Sequence, residues 1–145
     1  MFGDRDQLRA QFVEAWEKAR TGQALHGLEA QLAAVITEHP EYHGLLADRE
    51  RALTAEFSPE DGQSNPFLHM AMHLSLREQA ATDRPSGIAD IHRRLSLRVG
   101  ALEAEHRMLE CLGRVLWEAQ RAGRMPDEQA YLECLRRLDP APPDD

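Results

Sequence analysis

Apolar residues recur along this chain every three or four positions, and no run of four or more alternates apolar with polar in the manner of a half-buried strand. The first helix is expected from Asp4 or Asp6 to Gly22, with Leu8, Phe12, Ala15, Trp16 and Ala19 on one face. Its early aspartates suit the positive helix start, and Gly22 suits a C-cap. A second helix is expected from Gly27 to His39 with Leu28, Leu32, Val35 and Ile36 as its stripe. Pro40 cannot continue it and can open a new turn to Ala47. Asp48 reads as the N-cap of a short helix to Glu56. The stretch Phe57–Ser64 is turn chemistry, after which Asn65-Pro66 reads as an N-cap with proline at the first helical position. Further helices are expected over Pro66–Ala81, Gly87–Val99, Ala101–Arg121 and Asp127–Leu138, with a bend at Gly100. Short connections favour antiparallel neighbours. The expected fold is therefore all-α, a compact bundle of about five to seven helices in a single domain over residues 1–138. Residues 139–145 form an acidic, proline-rich tail, expected to be disordered.

Composition strengthens the helical reading. Leu and Ala number 39 against 11 for Val, Ile and Thr together, and unbranched side chains lose less rotamer freedom in a helix. Asp plus Glu outnumber Lys plus Arg by 25 to 17, a net charge of −8. That balance argues against nucleic acid and against a polybasic membrane contact. No apolar run is long enough to span a bilayer, and the opening MFGDRDQLRAQF lacks an apolar signal core. A cytoplasmic protein is expected, and with it reduced thiols at Cys111 and Cys134; Cys111 falls opposite the apolar arc of its helix.

The stretch Phe67–Leu76 is the informative one. Seven of its ten residues are apolar and surround the helix, so it is expected to be covered on every side. His69 and His73, four apart, share a face there, and at least one must point into protein. A buried imidazole needs polar partners. On the long helix, Leu102, Met108, Leu109, Leu112, Val115, Leu116 and Ala119 form an apolar arc. Glu105 falls near its middle, with His106 and Glu110 at its border.

Two readings follow. In one, Glu105 accepts a hydrogen bond from an imidazole, and the network is purely structural. In the other, His69, His73, His106 and either Glu105 or Glu110 hold one or two divalent transition metal ions such as zinc, iron or manganese. His43 is the better candidate for a further ligand from Glu38-His-Pro-Glu-Tyr-His43, although a solvated helix end explains that stretch more simply. Glu103-x-x-His106 has di-iron spacing but occurs once, and Glu103 points away from the arc. His26 and His92 read as surface residues, as do Glu110, Arg114 and Glu118, a solvated ion-pair ladder. Trp117 lies at the edge of the arc. Glycine-rich phosphate loops and the common hydrolase motifs are missing, so no nucleotide cofactor is expected. The rival to a metal protein is a non-enzymatic interaction or adaptor module, with a second copy or another protein as partner, that uses Trp117, the tail and its acidic faces.

Asn65-Pro-Phe-Leu-His-Met-Ala-Met-His-Leu-Ser-Leu-Arg-Glu-Gln79, Glu105-His-Arg-Met-Leu-Glu-Cys-Leu-Gly113, Trp117-Glu-Ala-Gln-Arg121 and the His-Pro-Glu-Tyr-His stretch resemble the domain of unknown function 1841 family over nearly the whole chain. The resemblance implies an all-helical, intracellular bacterial protein and carries no activity. In spacing alone, His69/His73 with His106/Glu110 is similar to hemerythrin-like bundles, and His43 with His69/His73 to DinB-like ones. The order along the chain and the helix lengths depart from both.

Overall fold

A computed structural model describes residues 5–57 and 65–138. The expected tail, and the turn segment from residue 58 to 64, lie outside the described residues. Among the described residues there are eight α-helices and no strand. The helices are α1 (Arg5–Arg20), α2 (Leu28–Thr37), α3 (His43–Ala47), α4 (Arg49–Thr54), α5 (Pro66–Thr82), α6 (Ile88–Val99), α7 (Ala101–Ala122) and α8 (Glu128–Leu138), with a 3₁₀ turn over Pro40–Tyr42. The all-α expectation stands, with eight helices rather than five to seven. None of the helices is long and apolar enough to cross a membrane.

The chain forms two compact units, Met1–Leu74 and Ser75–Asp145, and α5 gives its first half to one and its remainder to the other. In the first unit α1 packs against α2, α3 and α4. Phe12, Val13, Leu32, Val35, Ile36, Leu46, Phe67, Met70 and Leu74 build its core. The ring of Phe12 meets that of Phe67 edge-on at 5.8 Å. Both expected N-caps are in place. Asp48 accepts from the Arg51 N–H at 3.1 Å, and Asn65 Oδ1 accepts from the N–H groups of Phe67 and Leu68 at 3.0 and 3.2 Å. Arg9, a polar position that helical spacing alone leaves unremarked, is buried in this core. The last carbonyls of a helix have no partner within it. Arg9 supplies one for α4, donating to Ala55 O at 2.6 Å and Ala52 O at 3.3 Å, with its guanidinium 5.0 Å from the Phe67 ring.

In the second unit α6 packs against α7 and α8, and α7 against α8. Asp83 accepts from the N–H groups of Gly87 and Ala89, both at 3.0 Å, and so caps α6 from the preceding turn. Gly100, at φ 93°, makes the break between α6 and α7 that its position in the sequence suggests. The buried stripe of α7 differs from the expected arc. Ala104, Met108, Cys111, Val115 and Ala119 lie inside with Leu109 and Leu112, whereas Leu102, Leu116 and Trp117 are exposed. Two helices pack on α7, which rotates and widens its buried face. Cys111 is accordingly inside, and the expectation of two reduced thiols is overturned: Cys111 on α7 is bonded to Cys134 on α8, with Cα atoms 5.8 Å apart.

Candidate metal centre

The centre begins with Pro40. A residue before proline is driven out of the helical region, and His39 accordingly has φ −125° and ψ 67°. Its backbone N–H turns to Ile36 O at 2.9 Å, which leaves the Val35 carbonyl without the helical donor it would otherwise meet. The His39 ring fills that place, with Nδ1 donating to Val35 O at 2.7 Å. A carbonyl can only accept, so Nδ1 carries the proton and Nε2 of the neutral ring carries the lone pair. A backbone carbonyl orienting a ligating histidine in this way is a common supporting contact in metal sites.

His69 and His73 come from the first turns of α5, one turn apart on one face. His73 is fully buried, His39 is 2% exposed and His69 is half-buried. The three rings face one another: His39 to His73 at 4.8 Å, His39 to His69 at 5.2 Å and His69 to His73 at 4.7 Å between centroids. Each offers a ring nitrogen within 4.8 Å of the others, and the group could hold a metal ion. His69 Nε2 and His73 Nε2 are 3.2 Å apart. With metal–nitrogen bonds of about 2.0–2.1 Å, the edge of a tetrahedral site is about 3.3 Å. The same spacing also serves a hydrogen bond from one Nε2–H to the other nitrogen. Tyr42 stacks parallel to His39 at 5.6 Å and meets His69 edge-on at 6.4 Å. Burial raises the Tyr42 phenol above its ordinary pKa, with the neighbouring Glu41 charge adding to the effect.

The α5 surroundings differ from the expected all-round burial. Phe67, Met70, His73, Leu74 and Leu76 are inside, but Leu68 is 57% exposed and Ser75 is exposed. One side of the helix thus meets water.

Of the two carboxylates expected at the site, Glu105 pairs with Arg77 and Glu110 is exposed. Glu105 is 4% exposed and accepts two hydrogen bonds from Arg77, from Nε at 2.8 Å and from Nη2 at 3.0 Å. A fork of two parallel bonds answers the charge that looked out of place in an apolar arc. Glu110 is exposed, as are Arg114 and Glu118. Glu103 is exposed and pairs with Arg107 at 3.1 Å. His43 donates from Nε2 to Ile36 O at 2.8 Å, a carbonyl at the end of α2, and lies against Trp16 at 4.5 Å. His39, the other histidine of that stretch, is the one that joins His69 and His73. The signal that could have found it is its place immediately before Pro40. His106 is half-buried on α7 in the second unit. His26 is exposed, and His92 is half-buried rather than on the surface.

An all-helical chain with a histidine cluster is thus the class that fold and site define. A family model described as a domain of unknown function (DUF1841) matches residues 4–137, and the chain belongs to that family. Neither the curated proteins nor the solved structures contain a match to it.

Proposed function

We propose that this protein binds one divalent transition metal ion, with His39, His69 and His73 as ligands. The observation that supports this reading is the convergence of three imidazole nitrogens within 4.8 Å, on two buried rings and one half-buried ring. An imidazole-only donor set favours zinc or iron over manganese, which prefers oxygen. His106, the sequence candidate on α7, is tested with the others.

The test is elemental analysis of untagged protein, followed by titration of the metal-free protein with zinc and with iron. Wild type is compared with His39→Ala, His73→Ala and His106→Ala. Near-stoichiometric metal that is lost in the first two variants supports the reading. The His106→Ala variant decides whether that residue belongs to the ligand set. A wild-type protein that binds neither metal overturns it. The 3.2 Å nitrogen pair supports a second reading, in which the imidazoles only hydrogen-bond and the exposed Trp117 and Leu116 of α7 meet a protein partner. Metal-free protein whose stability falls in His73→Ala would favour that alternative.

A further inference from the structure

The Cys111–Cys134 bond carries an inference independent of the metal reading. It joins the middle of α7 to α8 across the connection from Gly123 to Asp127, whose residues are all exposed. Besides the bond, α8 is held by its packing against α6 and α7. Tyr131, Leu132 and Leu135 are its buried side chains, and the Tyr131 hydroxyl donates to Gln79 at 2.7 Å. Glu128, Gln129, Glu133, Arg136 and Arg137 face water. A helix of eleven residues with three buried side chains has a small apolar contact to set against the entropy of ordering it. The two cysteines also differ in exposure. Cys111 is 2% exposed, while Cys134 is half-buried. A thiolate approaching from solvent therefore reaches Cys134 first.

We infer that α8 is a redox-released latch of the second unit. A dithiol reductant attacks Cys134 Sγ, the Cys111–Cys134 bond breaks, and Cys111 leaves as a thiolate that takes up a proton. The second thiol of the reductant then attacks its own sulfur in the mixed disulfide and releases Cys134 as a thiol. The protein gains two electrons and two protons, and the reductant becomes a disulfide. Without the bond, α8 undocks and brings Tyr131, Leu132 and Leu135 into contact with water, so that oxidation state controls an apolar surface.

The test is amide hydrogen exchange on the full chain, oxidised and after dithiothreitol, with α6 as the internal reference. A thiol titration of the denatured, unreduced protein comes first, and two free thiols overturn the proposal. Reduction is expected to speed exchange in residues 128–138 by about tenfold or more while α6 changes little. A Cys134→Ser variant, examined without reductant, should reproduce that pattern and no longer respond to dithiothreitol, which separates loss of the bond from any effect of the thiol on bound metal. Unchanged exchange in α8 overturns the latch. So does equal acceleration of α6, α7 and α8, which would make the bond a staple of the whole unit.

Discussion

Replacing Arg77 with leucine should destabilise the protein more than replacing Glu105 with leucine, and replacing both should recover most of the loss. The reasoning starts from burial. The Glu105 side chain is 6% exposed and that of Arg77 is 29% exposed, and two hydrogen bonds join them. Removing one partner of a buried ion pair costs about 3–5 kcal/mol, because the remaining charge is left without compensation. Arg77→Leu strands the carboxylate, the more deeply buried charge, and should sit at about 3–4 kcal/mol on that scale. Glu105→Leu strands a guanidinium that reaches water over part of its surface, and about 2 kcal/mol is expected. The double variant removes both desolvated charges and should lie within about 1 kcal/mol of wild type, since apolar replacements of buried pairs are often neutral.

Urea unfolding followed by far-ultraviolet circular dichroism gives the four stabilities of this cycle. An Arg77→Leu loss below about 1 kcal/mol would refute the burial argument, as would a larger loss in Glu105→Leu. Metal content, measured on the same samples, bears on function. The sequence offers Glu105 as a ligand, whereas the structure engages its carboxylate with Arg77. The double variant should therefore keep the metal stoichiometry of wild type. Loss of metal from a double variant that remains folded would return Glu105 to the ligand set.

Zinc at about a hundredfold excess over its dissociation constant should stabilise the protein by about 2.7 kcal/mol, roughly 10 °C in Tm by differential scanning fluorimetry, and chelation should reverse it. His39→Ala should abolish that shift. Asn65→Ala removes the side-chain cap of α5 and should cost about 1 kcal/mol in urea unfolding, while Asn65→Asp should cost little. Burial holds the Tyr131 phenol well above its ordinary pKa of 10.0. Because the folded pKa is the raised one, the stability it contributes is complete below pH 10 and is lost as pH rises beyond that value. Tyr131→Phe should therefore flatten the fall in Tm measured between pH 9.5 and about 11.5, and an unchanged slope would show that other groups cause it.

Local chemistry made most of the helix boundaries legible. Asp48 and Asn65 are caps because their short side chains reach backbone N–H groups two or three residues ahead, an interaction contained in a few residues. Gly100 and Pro40 end helices for equally local reasons. Which side of a helix is buried depends on what packs against it, and there the sequence was weaker. An apolar arc drawn on α7 assumes one partner surface, whereas α6 and α8 both pack on it. Leu102 and Leu116 consequently face water, while Cys111 lies inside and reaches Cys134.

The candidate site divides along the same line. His69 and His73 were visible because four-residue spacing on one helix fixes a shared face. Glu105 was visible as an anomaly, but its partner was not. Arg77 lies four residues beyond His73, on the stripe that begins at His69, so the sequence did hold a cation on that face. His39 was hidden for a different reason. A histidine at a helix end has a simple explanation in the free carbonyls, and His39 and His43 both satisfy it. The two differ in what remains after the carbonyl is met. Capping through Nδ1, as His39 does, leaves the distal Nε2 with the lone pair, at the end of the ring that projects away from its own backbone. Capping through Nε2, as His43 does, spends the distal nitrogen on the carbonyl and leaves the one nearest its own chain. Pro40 decides between them by forcing His39 out of the helix one residue early, and a histidine immediately before a proline at a helix end thereby becomes a capping residue and a candidate ligand at once.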